Sequence, residues 1–188
     1  QLLQEHLQRW RDGAAWLQLP EPPDQQQVEQ WINEAIERSG IADGALRINW
    51  SRGSGGRGLQ PPAQAKGRCW GSLYPHQPGF QRQQVVISER VKRWAEDPFN
   101  GCKTLDYSAM VLARVEASQA GASDVLLRSS QGGLCCGSSA NLLVQKGGQW
   151  LTPPLSSGAM PGVMRARGVA MGLIQEAHVG DSLVEEQP

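Results

Sequence analysis

Lys103 and two short segments downstream of it carry the clearest chemical signal in the sequence. A glycine and serine turn occurs at Gly137-Ser138-Ser139, and Pro161-Gly162-Val163-Met164 has the pattern of a helix start. A lysine amine condenses with an aldehyde to form an imine, whereas hydroxyl groups, turn N–H groups and a helix N-terminus suit a phosphate dianion. Together these residues could bind a molecule that carries both an aldehyde and a phosphate. Pyridoxal 5′-phosphate (PLP) is the cofactor with both groups.

Each of these signals is weak when it is taken alone. An arbitrary lysine is usually a solvated charge, a Gly-Ser-Ser turn is usually only a turn, and most helix starts bind no anion. The presence of all three in one chain favours the cofactor interpretation.

A basic, glycine-rich loop at residues 51–58 carries Arg52 and Arg57. It lacks the Gly-Lys-Ser/Thr ending of a nucleotide-binding P-loop, so that function is excluded. Two arginines on a mobile loop suit a substrate carboxylate, and a solvent-facing basic loop is the alternative. The three histidines form no metal-binding or catalytic-triad pattern.

Composition narrows the class of protein. The 188 residues include 18 basic and 18 acidic side chains, so bulk electrostatics would not attract nucleic acid. Membrane spans and secretion signals are not expected, because no apolar run approaches the ~20 residues that a span needs. The four cysteines show no metal-ligand spacing, and we expect reduced thiols in a cytoplasmic protein. The chain starts without Met, and we expect that both ends are missing.

Hydrophobic periodicity and turn residues predict the elements. The predicted elements are helices at 2–17 and between Asp24 and Gly40, strands at 45–50, 68–74 and 83–88, a helix at 105–120, strands at 124–128, 140–145 and 149–152, and a last helix from 163 to about 177. This order predicts an α+β fold in two parts. We expect a small N-terminal α/β domain at 1–95, a linker at 96–102 and a larger domain at 103–188 with the lysine and the phosphate elements.

Four motifs in this order resemble the fold-type IV PLP enzymes, the D-amino-acid aminotransferase-like family. They are Glu-His-Leu-Gln-Arg at 5–9, Lys-Thr-Leu-Asp-Tyr at 103–107, Gly-Ser-Ser-Ala-Asn at 137–141 and Thr-Pro-Pro-Leu-Ser-Ser-Gly-Ala-Met-Pro-Gly-Val-Met-Arg at 152–165. The family includes branched-chain and D-amino-acid aminotransferases and 4-amino-4-deoxychorismate lyase. The basic loop and the Cys135-Cys136 pair are most similar to the lyases.

The resemblance implies roles for individual residues. Lys103 would be the imine-forming, proton-shuttling amine, and Tyr107 would lie near the phenolate oxygen of the cofactor. The phosphate would be bound by the turn residues Ser138 and Ser139, by Arg9, and by the N–H groups of Val163 and Met164. Arg57 resembles the residue of the lyases that binds the substrate carboxylate, although Leu59 replaces an aromatic residue often found after that loop.

One position departs from the family pattern. The residue five before Asn141 is normally a glutamate that keeps the pyridine nitrogen of the cofactor protonated, and here it is Cys136. A thiol with a pKa of about 8.5 is a poorer cation partner than a carboxylate at about 4.3, so the ring should be a weaker electron sink. The family is also longer than this chain at both ends.

The resemblance implies a PLP-dependent lyase that converts 4-amino-4-deoxychorismate to 4-aminobenzoate and pyruvate for folate synthesis. The alternatives are a branched-chain or D-amino-acid aminotransferase, and a catalytically impaired relative that only binds the cofactor. We expect a small-molecule substrate, no nucleic acid or membrane partner, and a homodimer.

Overall fold

A computed structural model describes residues 2–185 of the chain. The chain forms two compact units, Gln1–Gln81 and Arg82–Pro188. Within residues 2–185, no helix is long and apolar enough to cross a membrane.

The first unit begins with two helices, α1 (Leu3–Trp16) and α2 (Gln25–Ser39). The Asp24 carboxylate caps α2 by accepting a hydrogen bond from the Gln27 N–H at 2.8 Å. Gly40 ends α2 with a φ of 67°, a left-handed conformation that glycine adopts without a Cβ clash. Both ends of α2 therefore lie where the sequence predicted them.

Two antiparallel strands, β1 (Gly44–Ser51) and β2 (Arg68–Pro75), follow in the first unit. They pair without a register shift along their whole length. The Trp50 indole N–H donates a hydrogen bond to the Pro20 carbonyl at 2.8 Å, which ties β1 to the segment after α1. The basic loop lies in the connection between these strands.

The second unit contains two small mixed sheets and three helices. Its elements are β3 (Val85–Arg93), α3 (Ser108–Gln119), β4 (Asp124–Ser129), β5 (Leu134–Gly137), β6 (Val144–Lys146), β7 (Gln149–Thr152), a 3₁₀ turn (Leu155–Ser157), α4 (Val163–Ala170), β8 (Ile174–Glu176) and α5 (Ser182–Glu185). One sheet has the order β3-β4-β5 and the other has the order β6-β7-β8. The outer strands β3 and β8 pair in parallel with β4 and β7, and the remaining pairs are antiparallel.

The main core of the second unit lies between α3 and the first sheet. Ala113 and Ala117 of α3 pack against Val125 and Leu127 of β4, and all four side chains are buried. The small alanines let the helix approach the sheet closely, while each buried Val or Leu contributes about 1.5–3 kcal/mol by leaving water. Cys135 and Cys136 belong to the same core, so β5 is fixed as firmly as β4.

The predicted last helix is wrong in its second half. It was expected to run from Val163 to about Ala177, but α4 ends at Ala170 and residues 174–176 form strand β8 beside β7. Gly172 has a φ of 69°, which ends the helix and turns the chain back. A Cβ on Gly168 would overlap the Ile174 side chain, so the returning strand packs directly on the helix.

Three further features of the second unit and the linker differ from the prediction. The predicted strand at 140–145 is shorter, since β6 covers only Val144–Lys146, and β5 was not predicted. The two compact units divide before Arg82, upstream of the linker expected at 96–102. The reason is that β3 pairs with β4 and therefore packs with the second unit.

Candidate active site

Lys103 lies in a short irregular segment that leads from Asn100 into α3, and its side chain is exposed. The segment is ordered by backbone hydrogen bonds, from Cys102 N–H to the Phe99 carbonyl at 2.9 Å and from Thr104 N–H to the Cys102 carbonyl at 3.1 Å. Cys102 is buried, which anchors the backbone directly beside Lys103. Tyr107 precedes the first residue of α3 and is half-buried. A lysine before a helix was predicted, and this prediction is confirmed.

The Lys103 segment is tied to a second loop through Arg93, the last residue of β3. The Arg93 guanidinium donates hydrogen bonds to the Asn100 side-chain oxygen and, at 3.1 Å, to the Gly158 carbonyl. Asn100 in turn donates to the Trp94 carbonyl at 2.7 Å. Gly158 lies in the loop that leads to α4, whose N-terminus is the predicted phosphate site. Arg93 therefore joins the lysine segment to this loop.

The serine turn is bonded to Asp124, which lies at the start of β4. The Ser138 hydroxyl donates a hydrogen bond to the Asp124 carboxylate at 2.6 Å, and Arg114 of α3 forms an ion pair with the same carboxylate at 3.2 Å. Burial raises the pKa of Asp124, but the hydrogen bonds from Ser138 and the Val125 N–H and the ion pair outweigh it, so the net pKa lies below its ordinary value. Ser139 is exposed beside this held residue.

The start of α4 is shaped by a close contact with Asn141. The Asn141 side chain donates a hydrogen bond to the Met160 carbonyl at 2.8 Å, which joins the serine turn to the loop before α4. A Cβ on Gly162 would overlap the Asn141 side-chain oxygen, so only glycine fits at this helix cap. No side chain caps α4, and the first N–H groups of an α-helix, here those of Val163 and Met164, have no acceptor within the helix.

Cys136 lies at the end of β5, beside the serine turn, and is buried. The pKa of its thiol is raised far above its ordinary value, first because it shares a hydrogen bond with the Cys135 sulfur and second because burial penalises the thiolate. The Ser157 hydroxyl lies 3.5 Å from the Cys135 sulfur, which joins β5 to the loop before α4. Burial and the contact with Cys135 therefore favour the neutral form of the Cys136 thiol.

Three parts of the second unit have the chemistry that the two ends of PLP require. Lys103 is exposed on an ordered segment, and Ser139 is exposed in the serine turn. At the start of α4 no side chain caps the helix, and the Asn141 side chain occupies the space where a Cβ on Gly162 would lie. Uncapped N–H groups and a nearby hydroxyl suit a phosphate dianion. The fit is incomplete at Cys136, where a neutral thiol replaces the usual carboxylate.

Two predicted site residues lie in the first unit. Arg9 is half-buried on α1, 3.4 Å from the His6 ring nitrogen, and burial lowers the pKa of its guanidinium. Arg57 is exposed near the tip of the basic loop. The other arginine of that loop, Arg52, instead donates to the Leu17 and Gln18 carbonyls after α1, each at 2.7 Å. Of the two loop arginines considered for a substrate carboxylate, Arg52 is thus occupied by the scaffold.

Sequence reasoning missed the residues that connect these parts, namely Arg93, Asn100 and Asp124. Arg93 bonds to Gly158 and Asp124 bonds to Ser138, groups that lie far along the chain, so no local pattern indicates these two residues. Asn141 belongs to the Gly-Ser-Ser-Ala-Asn motif at 137–141, but no role was predicted for it. The one available signal was the Asn100-Gly101 pair.

Known proteins are similar to nearly the whole of this chain. A provisionally named branched-chain-amino-acid aminotransferase from Methanocaldococcus jannaschii is 28% identical over 187 residues, which cover 98% of this chain and 64% of the relative. A provisionally named 4-amino-4-deoxychorismate lyase from Legionella pneumophila has a crystal structure that matches with a TM-score of 0.88 at 19% identity, covering 98% of this chain and 70% of that one. A hypothetical aminotransferase from Mycobacterium tuberculosis, solved in a PLP-bound form, has a TM-score of 0.79 at 22% identity, covering 98% of this chain and 69% of that one.

These likenesses confirm the predicted fold-type IV architecture. The chain spans less than two thirds of the length of the Methanocaldococcus relative. Residues 1–179 match the family described as amino-transferase class IV. This match covers most of the chain, which therefore belongs to the class IV amino-transferase family.

Proposed function

We propose that the protein is a PLP-dependent lyase that converts 4-amino-4-deoxychorismate to 4-aminobenzoate and pyruvate. Class IV amino-transferases are PLP-dependent, which supports the cofactor. The observation that carries the choice of a lyase is the buried, neutral thiol of Cys136 at the position where the family normally has a carboxylate. The likeness to the Legionella structure supports the same choice.

In this proposal the phosphate of PLP is bound by Ser139, by the N–H groups of Val163 and Met164, and by Arg9. Ser138 supports the turn through its hydrogen bond to Asp124 rather than by donating to the phosphate. Uncapped helix N–H groups and a guanidinium both favour a dianion. The phosphate end of the cofactor would therefore be held mainly by groups that the fold fixes in place.

Lys103 would hold the aldehyde end of PLP and would move protons during the reaction. When bound, the cofactor withdraws electrons from the substrate carbon that carries the amino group. The freed Lys103 amine would remove the ring C–H proton and later protonate the departing enolpyruvyl group. Tyr107 would lie beside the phenolate oxygen, and Arg57 would bind a substrate carboxylate.

The thiol suits a lyase better than a transaminase because the two reactions need different electron sinks. Transamination requires a carbanion to be stored in the pyridine ring, which needs a protonated ring nitrogen beside a carboxylate. Loss of enolpyruvate from aminodeoxychorismate creates an aromatic ring, and this supplies driving force of its own. The neutral thiol of Cys136 makes the pyridine ring a weak electron sink. This therefore permits elimination and disfavours amino transfer.

An aminotransferase for branched-chain amino acids is the second candidate. It is favoured by the Methanocaldococcus relative, which aligns with nearly the whole chain. Because that relative is longer than this chain, the activity of the whole protein is part of the proposal.

A substrate panel with the purified full-length protein tests the choice. A lyase releases pyruvate and 4-aminobenzoate from aminodeoxychorismate with no added keto acid. An aminotransferase forms glutamate only when a branched-chain amino acid and 2-oxoglutarate are both present. Turnover of the second kind without the first would overturn the lyase proposal. The absence of any bound cofactor after incubation with PLP would overturn both.

We also propose that the protein acts in folate synthesis in the cytoplasm as a homodimer. The four cysteines are free in the structure, which supports a reducing compartment. Sedimentation of the full-length protein measures the oligomeric state, and a monomer at micromolar concentration would contradict the dimer.

A further inference from the structure

The Arg93 side chain bonds both to the lysine segment and to the loop before α4. Its guanidinium reaches the Asn100 side-chain oxygen through one nitrogen and the Gly158 carbonyl through two, at 3.1 Å each. A planar guanidinium offers several donors in a fixed fork, so it fixes direction as well as distance. Asn100 is buried, and this leaves the fork little freedom to move.

The loop before α4 is fixed at two points. Arg93 holds the Gly158 carbonyl, and Asn141 holds the Met160 carbonyl at 2.8 Å. Ala159, between these two residues, is buried in the main core. The helix start at Gly162 follows directly, so its location depends on where Arg93 and Asn141 place the loop.

Helix α3, which follows the lysine segment, is bonded to the irregular part of β3. Glu116 of α3 accepts a hydrogen bond from the Ser88 hydroxyl at 2.6 Å and another from the Glu89 N–H at 2.8 Å. The Ser88 hydroxyl also accepts from the Val91 N–H at 2.9 Å, where the pairing of β3 with β4 shifts register. The irregular part of β3 that ends in Arg93 is therefore built by α3 itself.

We propose that Arg93 is a positioning residue that sets the spacing between Lys103 and the N-terminus of α4. This inference rests on the proposed binding of PLP to both places. One rigid ring must reach the lysine and the phosphate site together, so the second contact forms at a high effective concentration only when the spacing is right. Arg93 contributes to affinity for the two-ended cofactor without contacting it.

The test compares three ligands that share parts of the same molecule. Pyridoxal carries the aldehyde without the phosphate, inorganic phosphate carries the other end, and PLP carries both. Binding of each to the full-length protein is measured by calorimetry, and binding of pyridoxal and PLP is also measured by absorbance and by borohydride trapping on Lys103. Arg93→Lys keeps the charge but loses the fork, Arg93→Gln keeps a donor without the charge, and Lys92→Ala changes an exposed neighbour as a control.

We expect Arg93→Lys and Arg93→Gln to weaken PLP binding by about 10-fold to 100-fold, as a small misplacement of paired groups would. Pyridoxal and inorganic phosphate should each bind as they do to the unchanged protein, and Lys92→Ala should behave like it throughout. An equal loss for all three ligands, or loss of the cooperative thermal transition, would mean a merely structural role and would overturn the proposal. Unchanged PLP affinity in both Arg93 variants would also overturn it. Failure of the unchanged protein to bind PLP would instead contradict the proposed function.

Discussion

The phosphate end of the candidate site and the basic loop of the first unit are built in opposite ways. Around Gly162, the half-buried Asn141 side chain bonds to the Met160 carbonyl, and a Cβ on Gly162 would overlap the Asn141 oxygen. In the basic loop, Arg52 is bonded to the scaffold, while the residues from Ser54 to Gln60 are exposed. The first region permits almost no change, and the second permits many.

This difference separates two tasks. A cofactor with a fixed shape needs donors that do not move, and preorganised donors lose no free energy to reorganisation when it binds. Recognition of the substrate can be assigned to a loop, because exposed loops accept sequence changes without disturbing the core. We therefore expect changes in the second unit to affect cofactor binding and changes in the loop to affect substrate choice.

The largest effect is expected from Lys103→Ala. The change removes the amine that would hold the aldehyde and move protons, so turnover and borohydride-stable labelling should be lost. Lys146→Ala, on an exposed hairpin turn, should keep both. Peptide mapping that found the reduced cofactor on Lys66 or Lys146 instead would remove Lys103 from its assigned role.

Replacement of Arg9 by alanine probes whether the first unit supplies part of the rigid end. The affinity for PLP should fall by about 1.5–3 kcal/mol, the size of a hydrogen bond to a charged group. Arg11→Ala, two residues along the same helix, is the control, since Arg11 contacts Gln8 at 3.3 Å. Equal PLP dissociation constants for the two variants would place Arg9 outside the site.

A pair of glycine substitutions compares the two regions directly. Gly162→Ala forces a Cβ into Asn141 and should reduce the free energy of unfolding by about 1–3 kcal/mol. PLP affinity should fall with it. Gly56→Ala in the basic loop meets no atom within 4 Å and should change stability by less than about 0.5 kcal/mol. Denaturant melts of both variants measure the difference, and equal midpoints would break the comparison.

Arg57→Gln should affect the substrate and leave the cofactor alone. Loss of a charge-assisted contact to a carboxylate should raise KM for aminodeoxychorismate by about 10-fold to 100-fold. The dissociation constant of PLP should not change. Weaker PLP binding in this variant would show that the loop belongs to the cofactor site as well.

The smallest and most selective effect is expected at Cys136. The raised pKa of the Cys136 thiol favours its neutral form. Cys136→Glu should increase amino-group transfer from alanine to the cofactor, followed by absorbance, without a matching gain in lyase turnover. Cys136→Ser is the control that stays neutral. Equal gains in both activities, or no gain in either, would contradict the role given to the thiol.

The sequence predicted those parts of the fold that depend on local signals. Asp24 and Gly40 mark the ends of α2 through side-chain and backbone chemistry that reads directly from residue type. The length of α4 was overestimated because apolar residues continue past Gly172 with helical spacing, whereas the left-handed Gly172 and the packing of Ile174 on Gly168 reverse the chain. Strand β5 was missed because Cys135, Cys136 and Gly137 are not typical strand residues, yet core burial imposes the strand.

The residues of the candidate site also fall into those that local signals predicted and those that they did not. Lys103, the serine turn and the helix start were recognisable from residue type and from motif order. Arg93 and Asp124 were not, because the groups that they bond lie in other elements and come together only in the folded chain. The assigned roles of the site residues stay predictions until the ligand experiments are done.

The basic loop is narrow where it leaves and rejoins the strands, at Gly53 and Gly67, and we call this part its neck. A Cβ on Gly53 would overlap the Lys66 carbonyl, and Trp50 lies where a Cβ on Gly67 would be, so the two ends of the loop are pinched together by the strands. A loop whose neck is held closed can gain residues at little cost in free energy, because each doubling of length adds only about 0.6 kcal/mol of closure entropy. Insertions between Gly53 and Lys66 therefore offer a route to new substrate preferences that leaves the strand register intact.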